Sequence, residues 1–187
     1  MSMLQNVRLS VVLLLICGIA YPLAMTGISK LAMPAKASGS LIVDDKGNVI
    51  GSELIGQAFT DPKYFAGRIS SIEYNAASSG SNNYAPSNPA LAGRTTKDIE
   101  AFLKANPTVK REEIPADLLT NSGSGLDPHI SPEAARVQAE RIAKARNLDQ
   151  ARLNALIDEY TEERSLGVFG QPRVNVLKLN IALDRMK

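Results

Sequence analysis

From Leu9 to Ser29 the chain carries no charged side chain, and Val, Leu, Ile, Ala and Gly dominate the run. Arg8 closes one end and Lys30 the other. A helix rises about 1.5 Å per residue, so this run covers roughly the 30 Å of a bilayer hydrocarbon core. After Lys36 the sequence turns polar, charged and rich in Gly, Pro and Asn. The pattern predicts a short tail (1–8), one transmembrane helix (9–33) and one soluble domain (38–187). Pro22 falls inside the apolar run, where it either breaks a signal core or kinks a helix whose freed carbonyl is satisfied locally.

A cleavable secretory signal is the alternative reading. Arg8 would be its positive region, Leu9 to Ala20 its apolar core, and Ala35-Lys36-Ala37 its A-x-A cleavage site. That reading makes the product a secreted or periplasmic binding protein released after Ala37. A lipoprotein signal at Cys17 is disfavoured by the bulky Ile16 before it. Against a signal, the apolar run continues through Leu23, Ala24, Met25 and Ile28, beyond what a signal core needs. Charge leaves orientation open, since Arg8 faces Lys30 and Lys36 across the segment. The short leading tail favours an inside amino terminus and an exported soluble domain.

Further along, two short apolar runs flank Asp44-Asp45-Lys46-Gly47-Asn48, predicting strands at 41–43 and 49–50 around a turn. From Asp61 to Asn88 the chain is rich in Asn, Ser, Gly and Pro, yet holds Tyr64, Phe65, Tyr74 and Tyr84. Large rings gain by packing, so this stretch is expected to be an ordered, functional loop. Thr95 or Thr96 is expected to cap a helix that stops before Pro107. Ser131, followed by Pro132 and Glu133, predicts a helix to about Arg146 with Ala134, Gln138, Ile142 and Ala145 on one face. Asp149 starts another, with Leu153, Leu156, Ile157 and Tyr160 as its apolar stripe. Val174 to Leu177 reads as a strand, followed by a last apolar run through Leu183. The fold class is therefore a single N-terminal transmembrane helix plus one mixed α/β (α+β) domain.

Composition narrows the chemistry. The formal net charge is +2, with acidic and basic residues interleaved, and Trp is absent. Neither a basic footprint nor a stacking platform for nucleic acid is present. Cys17 is the single cysteine and His129 the single histidine. The soluble domain thus has no disulfide and no N/S metal cluster. Ser122-Gly123-Ser124-Gly125 lacks the Lys-Ser/Thr ending of a P-loop and reads as a connector into the Ser131 cap. No G-x-S-x-G accompanies His129, so it reads as a structural residue, and no active site is visible.

Several segments together resemble one family. They are Gly51-Ser52-Glu53-Leu54-Ile55-Gly56-Gln57; Tyr64-Phe65-Ala66-Gly67-Arg68; Tyr74-Asn75-Ala76 with Ser79-Gly80-Ser81-Asn82; Ser122 through Ser131; and Val174-Asn175-Val176-Leu177 through Asp184. In order and spacing they are similar to the C subunit of the bacterial Kdp-type potassium-transporting P-type ATPase. Ile69-Ser70 departs from the family's usual Pro-Ser, removing a fixed φ. The resemblance implies a non-catalytic accessory subunit in the bacterial plasma (inner) membrane, contacting lipid. Its partners would be a channel-like potassium-binding subunit and an ATP-hydrolysing P-type subunit. Potassium would be carried by those partners, no cofactor would be tightly bound, and ATP would be met only through the complex. The chain has neither the Asp-Lys-Thr-Gly-Thr phosphorylation motif nor the Thr-Val-Gly-Tyr-Gly filter loop.

Two mechanisms follow from the resemblance. As a catalytic chaperone the subunit would raise the ATP affinity of the pump, with Gln138, which matches a Gln of the family, as the nucleotide-facing residue. As an external docking subunit it would sit outside the cytoplasm against the channel-like partner. The contact residues expected for that are Tyr64, Phe65, Arg68, Tyr74, Asn75 and Tyr84.

Overall fold

The computed structural model describes residues 2–186, which divide into two compact units between Ser52 and Glu53. In the first unit a single helix, α1 (Met3–Ala32), contains the whole uncharged run and starts six residues before it. Its 30 residues are long and apolar enough to cross a membrane, at a length of ~45 Å. No described side chain along it is buried by the fold. Just before Pro22 the helix widens into a π-helical turn, Ile16–Ala20, in which the Tyr21 N–H donates to Ile16 O. Proline lacks an N–H and its ring crowds the carbonyl four residues back, and the wider turn relieves both. The Thr26 hydroxyl donates to Pro22 O at 2.8 Å, restoring a partner on the far side.

A one-turn helix, α2 (Pro34–Ala37), leads to the antiparallel hairpin of β1 (Leu41–Val43) and β2 (Val49–Ser52). Its turn is built by Asp44, whose carboxylate accepts from the N–H groups of Lys46 (2.9 Å) and Asn48 (2.8 Å). The expected strands and turn are therefore present.

The second unit begins with a long irregular stretch up to Asn88. Next come α3 (Pro89–Ala105), the short α4 (Ala116–Leu119), β3 (His129–Ile130), α5 (Pro132–Arg146) and α6 (Gln150–Glu159). Then β4 (Thr161–Glu162), β5 (Arg173–Asn175) and α7 (Val176–Arg185) close the chain. The sheet has the order β3-β5-β4, antiparallel throughout. Mixed α/β architecture beside one apolar helix is the fold that the pattern predicts.

The Ser131 cap holds, its hydroxyl accepting from the Ala134 N–H at 3.0 Å. Asp149 caps α6 in the same way. Asn147 ends α5 in the left-handed region at φ 53°, which asparagine tolerates. Three expectations need correction. The helix expected from Thr95 or Thr96 begins at Pro89, because Asn88 accepts from the Ala90 N–H and Pro89 suits the first turn. Ala145 is exposed, and the buried face of α5 is completed by Ala135, Ala139 and Ala143. The strand expected over 174–177 stops at Asn175, which accepts from the Lys178 N–H at 3.1 Å and starts α7. The core joins α5, α6, α7 and β5, and Phe65 from the irregular stretch is part of it.

Candidate functional site: a clamped loop beside an apolar cleft

Irregular backbone inside a fold must find hydrogen-bond partners outside regular ladders. Here the partners are side chains of two helices. Gln138 on α5 is fully buried (0% exposed). Its amide oxygen accepts from the Ala66 N–H at 2.8 Å, and its amide nitrogen donates to Ala66 O at 3.2 Å and to Ala134 O at 3.0 Å. Asn180 on α7 does the same for Phe65, accepting from its N–H and donating to its carbonyl, both at 2.9 Å. Two amides thus imitate strand neighbours for two consecutive residues, and the Phe65 ring is held fully buried.

Arginines extend the clamp. Arg141 donates to Tyr64 O at 3.1 Å, to Gln138 Oε1 at 3.0 Å, to Asn106 Oδ1 at 2.9 Å and to Pro62 O. Arg146 donates to Lys63 O at 2.9 Å, pairs with Asp184 at 2.6 Å and lies 4.9 Å from the centre of the Tyr64 ring. The carbonyls of residues 62–66 are each taken by a side chain from α5 or α7. Tyr64 is pinned as well, its hydroxyl donating to Asp184 at 2.9 Å. Burial draws the Arg141 guanidinium below its usual pKa.

The rest of the loop is bound to the glycine-rich segment. Arg68 pairs with Asp127 at 2.9 Å and donates to the carbonyls of Thr120 (3.3 Å) and Asn121 (3.4 Å). Burial pushes the Asp127 carboxyl up, but bonds from His129 and Arg68 outweigh it and hold the pKa at about 2. Ser70 donates to Gly125 O at 2.7 Å, and Gly80 N–H donates to Ser124 O at 2.9 Å. Gly125 sits at φ +70°, and a Cβ there would lie 2.6 Å from Ile72. The glycines therefore admit the chain's own backbone, consistent with a connector. Glu73 and Tyr74 also take left-handed φ (53° and 57°). The Ser70 hydroxyl accepts from Tyr74 N–H at 2.9 Å, and the Tyr74 hydroxyl donates to Arg68 O.

Beside the clamp lies a cleft of about 360 Å³, lined by Phe59, Tyr64, Ile69, Phe102, Gln138 and Arg141 among others. Arg141 is the only cation among the described residues lining it, and its donors are occupied by the loop, while Asp61 and Asp98 add negative charge. An apolar group suits such a cleft better than a polyphosphate. Among the described residues no group of three or more His, Cys, Asp or Glu could hold a metal ion.

The structure brings Tyr64, Phe65, Arg68, Tyr74 and Gln138 into one connected network. Phe65 faces the interior, and Tyr64, Arg68 and Tyr74 are half-buried. Asn75 is exposed, its amide oxygen accepting from the Ala77 N–H at 3.0 Å, and Tyr84 is half-buried further along. Arg141, Arg146 and Asn180 were not anticipated. Asn180 carries the same signal as Gln138, an amide on an otherwise apolar helix face.

Comparison with known proteins places this sequence in a family. The model described as "K+-transporting ATPase, c chain" matches residues 3–185. A potassium-transporting ATPase KdpC subunit of Bacillus cereus (strain ATCC 10987 / NRS 248) is 58% identical over 180 residues, spanning 96% of this chain and 93% of that protein. The KdpC subunit of Bacillus anthracis is 57% identical over the same share of each chain. From α1 through the clamp to α7, the chain belongs to the KdpC family of K+-transporting ATPase subunits.

Proposed function

We propose that this chain is an accessory subunit of an ATP-driven potassium importer, anchored in the membrane by α1 and working through contacts with the other subunits. The observation that carries it is the reach of the family match, which spans both the apolar helix and the folded unit. The channel-like, potassium-binding subunit and the P-type, ATP-hydrolysing subunit are its partners. The clamp supports a contact role, because it makes a rigid surface of a loop that would otherwise be mobile. Tagged chain purified in mild detergent should bring both partners with it. A chain recovered alone would defeat the proposal, and an intact mass beginning at Ser38 would favour a released binding protein instead.

The folded unit lies on the external face, with Asn75, Tyr84 and the exposed edges of Tyr64 and Tyr74 as contacts to the channel-like subunit. Replacing Tyr74 and Tyr84 with Ala should weaken assembly, and unchanged co-purification would count against it. The chain also raises the ATP affinity of the pump subunit. Gln138 enters that effect by holding the loop, since its amide is engaged with Ala66. Gln138→Ala should raise the KM for ATP of the assembled complex, and an unchanged KM with intact assembly would remove Gln138 from this role.

A further inference from the structure

Beyond residue 53, four large apolar side chains are exposed among the described residues, and three of them lie within four positions. Leu166 is 89% exposed, Val168 70% and Phe169 66%. They form the tip of the connection between β4 and β5. The tip is ordered by its own backbone: Ser165 N–H donates to Phe169 O at 2.9 Å, Phe169 N–H returns to Ser165 O at 3.0 Å, and Gly167 N–H donates to Arg164 O at 3.0 Å. Leu166 takes a left-handed φ of 54°, flanked by Gly167 at 73° and, three residues on, Gly170 at 83°. A leucine in that region costs about 1–2 kcal/mol, and its exposure forfeits burial as well. Such strain points to a use outside the folded chain.

Three occupants could cover the tip, and charge and area choose between them. A lipid surface is usually met with a surplus of Lys and Arg. Here Glu162, Glu163, Arg164 and Arg173 balance, and Arg173 is paired with Glu162 at 2.9 Å while Arg164 donates to Gln171 at 2.9 Å. A second copy is opposed by area. Three such side chains bury on the order of 400 Å² per copy, below the ~600 Å² that each member of a self-sufficient pair contributes. A small, rigid apolar plug suits an assembly already held together elsewhere, where it adds an anchor at little cost in order.

We propose that the Leu166–Phe169 tip is a docking plug that enters an apolar, uncharged-walled pocket on another subunit of the same transporter. This rests on the subunit reading above. Because the chain has no Trp, Phe169→Trp creates a reporter at the tip that is unique in this chain and is read in the complex as the difference from the wild-type complex. In the full chain alone, reconstituted in lipid nanodiscs, the reporter should emit as if in water and be quenched by iodide. In the assembled complex it should shift to the blue and lose most of that quenching. Quenching by brominated lipid in the chain alone would show a lipid occupant, and a blue shift that grows with concentration of the chain alone would show self-association. Either result, or no change on assembly, overturns the proposal. In parallel, Val168→Ser combined with Phe169→Ser should reduce recovery of the other subunits at least tenfold with unchanged thermal unfolding. Undiminished recovery would overturn it too, whereas failure of the wild-type chain to recover them would sink the subunit reading itself.

Discussion

Gln138 and Asn180 show what a buried amide can do that a buried apolar residue cannot. Each offers a donor and an acceptor at the spacing of a peptide group, so each can hold a residue whose backbone belongs to no strand. A net hydrogen bond contributes about 1 kcal/mol, but an orphaned buried backbone group costs about 1–3 kcal/mol. Asn180→Leu would leave both polar groups of Phe65 without partners, and we expect a loss of about 2–4 kcal/mol. Thermal unfolding of the full chain in detergent would read this as a clear fall in Tm, and an unchanged Tm would deny Asn180 its clamping role. Asp127 gives a pH signature of the same network. Its folded pKa of about 2 lies below the 3.8 of a free aspartate. The stabilisation is therefore fully present above about pH 4 and is lost as pH falls towards 2, amounting to about 2 kcal/mol. Asp127→Asn should flatten that part of the stability profile, and a profile as steep as that of the parent would assign acid sensitivity elsewhere. Gln138 stands out in the sequence because an amide interrupts a face of alanines and Ile142. Its partner does not, because Ala66 lies 72 positions away and nothing local marks it.

At the scale of elements, caps and glycines decide boundaries. Ser131-Pro132-Glu133 and Asp149 are legible in the sequence because a capping oxygen, a tolerated proline and a favourable charge coincide within a few residues. Asn88-Pro89 carries the same information, but it sits at the end of a stretch so rich in loop-forming residues that the later threonines compete with it. The strand at Val174 and the helix at Val176 share one apolar run, and only the Asn175 cap separates them. Glycines divide by what surrounds them. Gly125→Ala should destabilise the folded unit by about 2 kcal/mol or more, since its Cβ would meet Ile72 and its φ is positive. Gly123→Ala, with open space at that position, should change stability by less than about 0.5 kcal/mol. Equal effects from the two would mean that the connector does not fit against the loop as described. The hairpin tip at Leu166 was visible in sequence only as a break at Gly167 and Gly170, since exposure is a property of the folded unit.

For the whole molecule, the apolar helix α1 and the mixed α/β architecture were legible in the sequence. Sequence also showed that catalysis is not written in a recognisable motif. What sequence could not show is that the loop expected to meet a partner is held from inside, by side chains drawn from α5 and α7. Placement across the membrane can be checked with cysteine chemistry, since Cys17 lies within α1. Glu112→Cys, at an exposed position away from the expected contacts, should react with a membrane-impermeant maleimide in intact cells, and protection until the cells are opened would put the folded unit inside. The central claim, that this chain serves a potassium pump through contacts, is tested most directly by potassium-stimulated ATP hydrolysis of the purified complex prepared with and without it. The account predicts that leaving the chain out lowers potassium-stimulated hydrolysis and weakens the apparent affinity for ATP of what remains. Full potassium-stimulated hydrolysis with unaltered ATP affinity in its absence would contradict the account.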